Sequence, residues 1–426
     1  MSDQKTFLGE VMQHIKMKEA RKLVTAELSS HIEDVKKEWT KKGLSEKEAE
    51  EKAVEQMGSP YVIGEKFNKI YRPQVDWVTL ALLAAASGLG FLPLITLPDI
   101  GQNYVLKHFI NVLVGTGTVF AIMIFDYRKW IKNSWIFYCI GIVLLIVMTY
   151  GTRLNLPMNF FPTANGVTFI HIGPFYMNSF LPLLSFYIGW ASLLEKRYLK
   201  IWHFILLYLA PLLLFIMANP SASLLYTAMV FTMVYHSKSK NKRVMLFTGA
   251  GIFASAGIVM ILRRSRLERL SGFLNPEKTE NYQNNYGYIS VQIKEILSTS
   301  TMFGNGTSIK EIQNGGLEFA FIKLIGHYGF FVAFLAAGVL ILLLIRILHL
   351  NFSSRDTFGK TLAAGGSALY LGQLFYNLCM SLGWLPIISM PLPFIDYGGS
   401  ALLVNSVIFG AILSVFRRKH LPPVQP

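Results

Sequence analysis

The sequence has few residues of the kind that build disulfides or metal sites. Its two cysteines, Cys139 and Cys379, both lie inside apolar runs. Two isolated thiols provide neither a disulfide framework nor the ligand spacing of a zinc site, so we expect both to be packing residues. The sequence also lacks a phosphate-binding loop, a dinucleotide-binding glycine pattern and a zinc-protease motif. These absences exclude the common classes of soluble nucleotide and metal enzymes.

Charged residues are scarce as well, at 15% of 426 residues, whereas 52% are hydrophobic and 13% aromatic. A water-soluble core does not need so much apolar surface, so the composition indicates a membrane protein. Residues 1–73 are polar, rich in Lys and Glu, and contain no apolar core of the signal-peptide kind. We therefore expect membrane insertion to begin with the first apolar segment after them.

The positive charge is unevenly distributed along the chain. The net charge is +15, but residues 1–75 carry 14 Lys/Arg against 13 Asp/Glu, and the remainder carries 26 against 12. In that remainder the basic residues lie mostly between apolar segments. This pattern is typical of membrane topology rather than of nucleic-acid binding. We expect membrane lipids, and no nucleic acid, among the partners.

The polar N-terminal part predicts a small helical domain. Apolar residues recur at helical spacing within a charged segment: Leu28, Ile32, Val35 and Trp39. Ser45 followed by Glu48 is a capping box that starts a second helix, which ends at Gly58 just before Pro60. We expect a solvated, cytoplasmic prefix domain over residues 1–73 that contacts the membrane domain or a partner.

The rest of the chain predicts an all-α, polytopic membrane protein. A span needs about 20 apolar residues. We count about ten such segments within a membrane domain at 74–420. Their approximate bounds are 77–98, 104–125, 134–150, 174–194, 201–218, 221–236, 244–262, 319–346, 360–385 and 398–416.

The distribution of basic residues predicts the orientation. They cluster in alternate connections and at the C-terminal end: 128–132, 196–200, 238–243, 346–360 and 417–419. The positive-inside rule then places both chain ends in the cytoplasm and the loop from about 263 to 318 outside. Structureless loops of that length are uncommon unless they carry function, so this loop is a predicted site of chemistry.

The segment Pro391–Ser400, between the last two apolar segments, predicts a second functional region. Two prolines remove backbone donors and forbid a regular helix, and two glycines allow tight backbone geometry. Irregular backbone at membrane depth is tolerated only where it is buried in protein or lines a cavity. The segment therefore predicts part of a site rather than a linker.

Two groups of motifs resemble one known family. The break, with Gln373, Asn377 and Gly383–Pro386 before it, resembles the C-terminal signature of the FtsW/RodA/SpoVE family of shape, elongation, division and sporulation proteins. The order and spacing of that family's large extracellular loop recur in Arg266, Leu267, Phe273–Glu277, Tyr288, Gln292 and Met302–Gly306. The resemblance implies a polytopic membrane protein that polymerises lipid-linked peptidoglycan precursors.

The resemblance implies a catalytic carboxylate at the end of the loop. An aspartate there is regarded as the catalytic residue of the family, and alignment by Gly326 and Gly329 puts Glu318 at its position. As a general base it would take the proton from the acceptor sugar hydroxyl. The alternative is that Glu318 lies in the first turn of a span, complementing the helix dipole. Counting about 100° per residue, a helix would turn it roughly 140° from Lys323.

Other candidate residues each leave an alternative open. Arg266 and Arg269 suit pyrophosphate recognition, but arginines also anchor to lipid headgroups. Lys323 lies four residues before His327 on one helix face, where it binds substrate or extends to the interface. We place Gln292 in the substrate-binding loop. Asp396 would pair with a basic group or bind a divalent cation, or else simply form a turn.

The sequence departs from the family pattern at several polar positions. Met177–Phe180 stand where the family has Gln-Pro-Ser-Glu, and Asn219-Pro220-Ser221 where it has Gln-Pro-Asp. Asp396 stands where the family usually has serine. The charges of the pocket are therefore rearranged. Either the chain is a divergent polymerase, or it is a relative that binds lipid-linked substrate without turnover.

The resemblance implies a peptidoglycan glycosyltransferase that extends glycans from lipid-linked disaccharide-pentapeptide at the outer face of the cytoplasmic membrane. A membrane-anchored transpeptidase, a penicillin-binding protein, would cross-link the product, and a divalent cation (Mg²⁺ or Mn²⁺) would assist the pyrophosphate. The prefix resembles a domain fused to some Gram-positive permeases, which implies a Gram-positive cell. The alternatives are a non-catalytic scaffold or regulator of wall synthesis, and a flippase for the lipid precursor.

Overall fold

The computed structural model of the chain describes residues 3–95, 101–150, 163–164, 167–168, 170–172, 175–177, 180–196, 200–237, 242–262, 270–274, 287–304, 319–352, 354 and 356–421. This part of the chain is mostly helical. It divides into two compact units. The first contains residues 1–75 and 417–423, and the second contains residues 76–416 and 424–426.

The first unit contains four helices: α1 Gln4–His14, α2 Lys18–Lys41, α3 Glu46–Met57 and α4 Pro60–Ile70. The predicted capping box is confirmed, because the Ser45 hydroxyl accepts from the Glu48 amide while the Glu48 carboxylate accepts from the Ser45 amide. Pro60 starts α4, since its fixed φ suits the first helical position. The sequence pattern predicted neither α1 nor α4.

The core of the first unit includes Leu28 and Ile32 at the predicted positions. Trp39, predicted on the same face, is only half buried and lies beneath the ammonium groups of Lys42 and Lys52, at 4.5 and 4.9 Å from the ring centroid. Both ammonium groups make cation–π contacts with the indole ring. The apolar stripe on α2 therefore reaches the core as far as Val35, which packs against it, and Trp39 lies outside.

The C-terminal tail belongs to the first unit. Leu421 is buried in the apolar cluster formed by α1, α2 and α3. The Arg418 guanidinium is also buried and donates two hydrogen bonds to one carboxylate oxygen of Glu19, at 3.2 and 3.3 Å. The two ends of the chain thus fold together.

A helix overlaps each of the ten predicted apolar segments. In chain order the helices of the second unit are α5 Trp77–Leu89, α6 Leu92–Ile95, α7 Gly101–Ile124, α8 Ser134–Tyr150, α9 Phe180–Glu195, α10 Ile201–Ala218, α11 Pro220–His236, α12 Lys242–Leu262, α13 Gly287–Thr299, α14 Ala320–Phe352, α15 Thr357–Ser381 and α16 Gly399–Arg417. A 3-10 helix, Tyr127–Asn133, precedes α8.

The second unit is a multi-pass membrane domain. Six segments of the described chain are long and apolar enough to cross a membrane, and α9 is a shorter apolar helix. The six are Trp77–Ile95, Tyr104–Ile124, Tyr127–Tyr150, Ile201–Ala218, Ala320–Asn351 and Gly399–Arg417. The count of ten spans stays a prediction. Cys379 is buried as expected, but Cys139 is exposed on α8, so the packing prediction is wrong for Cys139.

The start of the predicted span 174–194 is extended rather than helical. Four short strands form two antiparallel pairs before α9: β1 Thr163–Ala164 with β2 Val167–Thr168, and β3 Ile170–Ile172 with β4 Phe175–Met177. Within the second pair Ile172 lies opposite Phe175. These apolar residues satisfied the hydropathy criterion, but their backbone groups pair between strands.

Helix α14 is broken at Gly329, whose φ of 83° is not helical. The backbone that follows α13 docks at this break. The amide of Phe330 donates to the carbonyl of Thr301 at 3.1 Å, and the amide of Phe331 donates to that of Met302 at 3.0 Å. The first stretch of α14 is therefore a separate helix of residues 320–328, attached at its C-terminal end to the long loop.

Candidate functional site

The predicted break between the last two spans is present. No regular helix occurs between the end of α15 at Ser381 and the start of α16 at Gly399. Within this segment Met390, Leu392, Phe394 and Ile395 are buried, whereas Trp384 is exposed. Unpaired backbone polar groups are costly in a membrane, so irregular backbone at that depth has to be buried in protein or line a cavity.

Side chains of α15 satisfy the polar groups of the break. The Asn377 amide donates to the carbonyl of Met390 at 2.7 Å, and the Tyr376 hydroxyl donates to that of Pro386 at 3.0 Å. Gln373 accepts a bond of 3.1 Å from Asn405 on α16. The two polar residues singled out on α15 thus tie the break and the last helix to α15, a role that spacing alone did not reveal.

Asp396 joins two segments that are distant in sequence. One carboxylate oxygen accepts from the backbone amide of Ala320, the first residue of α14, at 2.9 Å. The other accepts from the amide of Leu392 within the break. Asp396 is buried. The sequence left three roles open for Asp396: pairing with a basic group, binding a divalent cation, or forming a turn. These bonds support the turn-forming role, and they also link the break to α14.

Three of the predicted site residues lie outside the described residues: Glu318, Arg266 and Arg269. The chain beside Glu318 is described, however. Phe319 has a φ of 70°, and α14 starts at Ala320. Because Phe319 is left-handed and the helix starts at Ala320, the helical projection from Glu318 to Lys323 does not apply.

Gln292 and Lys323 lie on helices that contact each other. Gln292 is half buried on α13, and Lys323 is half buried on the first stretch of α14, one turn before His327. Helices α13 and α14 pack together. Two residues of the predicted site, Gln292 and Lys323, therefore lie on neighbouring helices.

An aromatic and histidine cluster beside the break was missed by the sequence analysis. His108 on α7 is fully buried and packs against the rings of Phe91 and Tyr397, with centroids 4.7 and 6.1 Å apart. Tyr104 also contacts Tyr397, and the Lys107 ammonium lies 5.6 Å from the Tyr104 ring centroid. The available signal was His108 itself, a titratable residue inside a predicted span.

Asn219 occupies one of the positions that depart from the family pattern. Its side chain caps α11 by accepting a bond of 3.0 Å from the amide of Ser221, and the residue is buried. Asparagine at an N-cap satisfies an amide that the helix leaves unpaired. The Asn219-Pro220-Ser221 sequence therefore forms a well-capped helix start without a carboxylate.

Comparison with known proteins decides the family. The FtsW/RodA/SpoVE family model, described as "Cell cycle protein", matches residues 77–421. The chain belongs to this family. The match covers the long loop, the break and every predicted span.

Curated relatives from the FtsW/RodA/SpoVE family bear enzymatic names. The chain is 25% identical over 339 residues to the probable peptidoglycan glycosyltransferase FtsW of Geobacter, covering 75% of this chain and 88% of that protein. It is 26% identical over 210 residues to the probable peptidoglycan glycosyltransferase FtsW of Trichlorobacter lovleyi, which is 48% of this chain and about half (54%) of that protein. It is 28% identical over 141 residues to the peptidoglycan glycosyltransferase MrdB of Escherichia coli, or 32% of this chain and 38% of that protein.

Solved structures share the fold. A chain from a peptidoglycan synthase complex that coordinates polymerization and crosslinking superposes with a TM-score of 0.63 at 21% identity, covering 82% of this chain and 99% of that one. The rod shape determining protein RodA of Thermus thermophilus superposes with a TM-score of 0.57 at 20% identity, covering 81% and 97%. The predicted polytopic helical fold is confirmed.

Proposed function

We propose that the chain is a peptidoglycan glycosyltransferase that extends glycan strands from lipid-linked disaccharide-pentapeptide in cell division, shape or sporulation. The observation that carries the proposal is the family match over residues 77–421, with relatives named as glycosyltransferases. Its location would be the outer face of the cytoplasmic membrane, with both chain ends in the cytoplasm. The prefix resemblance supports a Gram-positive cell.

Glu318 is the proposed general base. Its carboxylate takes the proton from the acceptor sugar hydroxyl while that oxygen attacks the anomeric carbon of the donor. The bond between that carbon and the lipid pyrophosphate breaks, and the pyrophosphate leaves with the electron pair. The carboxylate needs to come within about 2.6 to 3.2 Å of the hydroxyl oxygen. The family usually has aspartate at this position. A glutamate has the same carboxylate on a side chain one methylene longer, so it can serve as the same base.

The proposed substrate contacts lie in the loop and on the helices next to it. Arg266 and Arg269 would bind the pyrophosphate, since guanidinium groups pair with phosphate oxygens in bidentate geometry. Gln292 and Lys323 would line the acceptor groove between α13 and α14, whose packing supports a shared surface. The alternative for Arg266 and Arg269 is that they only anchor to lipid headgroups.

A divalent cation, Mg²⁺ or Mn²⁺, is also proposed, and it would neutralise charge on the departing pyrophosphate. The described residues do not fit a protein-held ion. Asp396 directs both carboxylate oxygens to backbone amides, and no group of three His, Cys, Asp or Glu ligands forms in the described part of the chain. We derive no step through the cation.

A membrane-anchored transpeptidase, a penicillin-binding protein, is the proposed partner that cross-links the product. Support comes from the structural neighbour that belongs to a complex for polymerization and crosslinking.

The test is reconstitution of the purified chain in vesicles with lipid-linked precursor. The proposal predicts glycan polymer, visible as a ladder on a gel, and release of lipid pyrophosphate. The second candidate is a non-catalytic scaffold or regulator, favoured by the missing carboxylates at Met177–Phe180 and Ser221; it predicts intact precursor. Movement of precursor between leaflets without polymer would instead identify a flippase and contradict the proposed enzyme.

A further inference from the structure

Two buried aromatic residues have a backbone conformation that their side chains disfavour. In the described part of the chain, Phe319 and Phe394 are the non-glycine residues with positive φ, at 70° and 65°. A Cβ atom in this region clashes with the backbone, so such residues persist only where their surroundings hold them. Phe319 directly follows Glu318 in the sequence, and Phe394 lies in the middle of the break.

Asp396 is the group that holds both of these turns. Its bond to the amide of Ala320 fixes the residue directly after Phe319, at 2.9 Å. Its bond to the amide of Leu392 closes the turn that contains Phe394, and the Asp396 amide donates back to the Leu392 carbonyl at 3.1 Å. The negative charge also lies at the N-terminal end of α14, where the unpaired amides of a helix favour an anion.

The break lies close to Gly90, the residue that follows α5. A Cβ atom at Gly90 would lie 3.0 Å from the carbonyl oxygen of Ile395 and 3.1 Å from that of Phe394. The nearest atom to that Cβ would be His108 Nε2, at 2.9 Å, so a side chain at Gly90 would displace the His108 ring and press on the break. The first stretch of α14 is held at its other end as well, where Phe330 and the Thr301 carbonyl meet across the Gly329 break.

We propose that Asp396 is a positioning residue: its carboxylate fixes the start of α14, and with it Phe319, the residue that follows Glu318 in the sequence, relative to the Pro391–Ser400 break. This inference rests on the proposed function of Glu318. Asp396 then acts through the backbone that it holds, and not by contact with the substrate. This role also explains an acid at a position where the family usually has serine, because two oxygens serve two backbone amides.

The test compares Asp396→Asn with Asp356→Asn in the polymerisation assay. Asp356 is the matched control, because it is equally buried and caps α15 by accepting from the Gly359 amide and the Tyr127 hydroxyl. In Asp396→Asn the side-chain oxygen still accepts from one of the two backbone amides. The side-chain NH₂ group faces the other backbone amide, and two donors cannot form a hydrogen bond. A displacement of about 1 Å near the reacting atoms lowers turnover about 100-fold, so we expect that loss of kcat for Asp396→Asn, with KM for the lipid precursor within about two-fold. In Asp356 one oxygen, Oδ2, accepts both bonds, so the amide oxygen of an asparagine can keep both, and Asp356→Asn should keep kcat.

A second pair of variants covers the case in which Asp396→Asn does not fold. Gly90→Ala would press on the His108 ring and on the carbonyls of Phe394 and Ile395 without touching the carboxylate, and should lower kcat in the same way. Gly88→Ala is its control, because no atom lies within 4 Å of an added Cβ there. Wild-type kcat in both Asp396→Asn and Gly90→Ala would overturn the inference, as would an equal kcat loss in Asp356→Asn.

Hydrogen exchange separates failure of this inference from failure of the proposed function. In Asp396→Asn, amides in residues 319–328 should exchange at least about ten-fold faster than in the wild type, and those in Asp356→Asn should not. This readout does not need activity. If the wild type makes no polymer, the proposed function fails, and the exchange rates alone decide whether Asp396 fixes the start of α14.

Discussion

At the scale of single residues, Asp396, Phe319 and Gly329 fix the backbone at the break and along the first stretch of α14. Asp396 was recognisable as an acid inside a membrane-depth break, but its partner Ala320 is 76 residues earlier in the chain. A left-handed Phe319 was not predictable, because local preference argues against positive φ for an aromatic residue. Gly329 served only to align the loop motif, yet it breaks α14 and receives the end of the long loop. These features depend on contacts between distant segments.

Substitution at Gly329 should test the docking of the loop. In Gly329→Ala an added Cβ would collide with the Gly304 amide and the Met302 carbonyl at a φ of 83°. We expect a loss of about 1 to 3 kcal/mol from backbone strain alone, measured as a lower thermal midpoint in detergent. Gly338→Ala, in the same helix with no atom within 4 Å, is the control and should stay within about 0.5 kcal/mol of the wild type. Equal midpoints for the two variants would contradict the docking.

At the scale of elements, hydropathy located the helices well because a span must be apolar over most of its length. It failed at residues 175–177, where apolar residues form a strand, and it gave no sign of α1 or α4 in the charged prefix. Hydropathy also says nothing about which helices touch. Helix α14 packs against α5 and α15, and an ion pair joins α5 to α14: Arg346 donates two bonds, of 2.7 and 2.9 Å, to the buried Asp76 carboxylate.

Breaking the ion pair between Asp76 and Arg346 should loosen the junction of α5 and α14. Asp76→Asn leaves the guanidinium opposite a neutral amide. We expect a loss of about 1 to 3 kcal/mol, because a third of the Arg346 side chain (33%) stays exposed and is solvated by water. The control is Asp34→Asn, which removes an exposed pair with Lys37 and should change stability by less than about 1 kcal/mol. A thermal midpoint for Asp76→Asn that matches the control would refute this role.

At the scale of the whole molecule, the two chain ends form one unit. Residues 417–423 fold with residues 1–75, and Leu421 fills the core between the prefix helices. The sequence predicted a prefix and a basic C-terminal end, but no local pattern links residue 19 to residue 418. The chain is therefore joined to the membrane domain at both borders of the first unit, after residue 75 and before residue 417.

Removal of the tail contact should destabilise the prefix. Leu421→Ala leaves a cavity in the small core, and a buried leucine truncated to alanine costs about 2 to 5 kcal/mol. We expect faster proteolysis within residues 1–73 under native conditions, with the membrane domain intact on a gel. Val62→Ala is the control, since Val62 on α4 is about half exposed (46%). Identical cleavage rates in the two variants would show that the tail does not support the prefix.

The most direct measurement of the central claim is the initial rate of glycan polymerisation by purified Glu318→Gln protein. Loss of a general base lowers the rate about 10² to 10⁴-fold, and we predict a fall in this range with unchanged membrane abundance. Glu295→Gln makes the same chemical change at an exposed position on α13 and should retain the wild-type rate. A Glu318→Gln protein that polymerises as fast as the wild type would contradict the account.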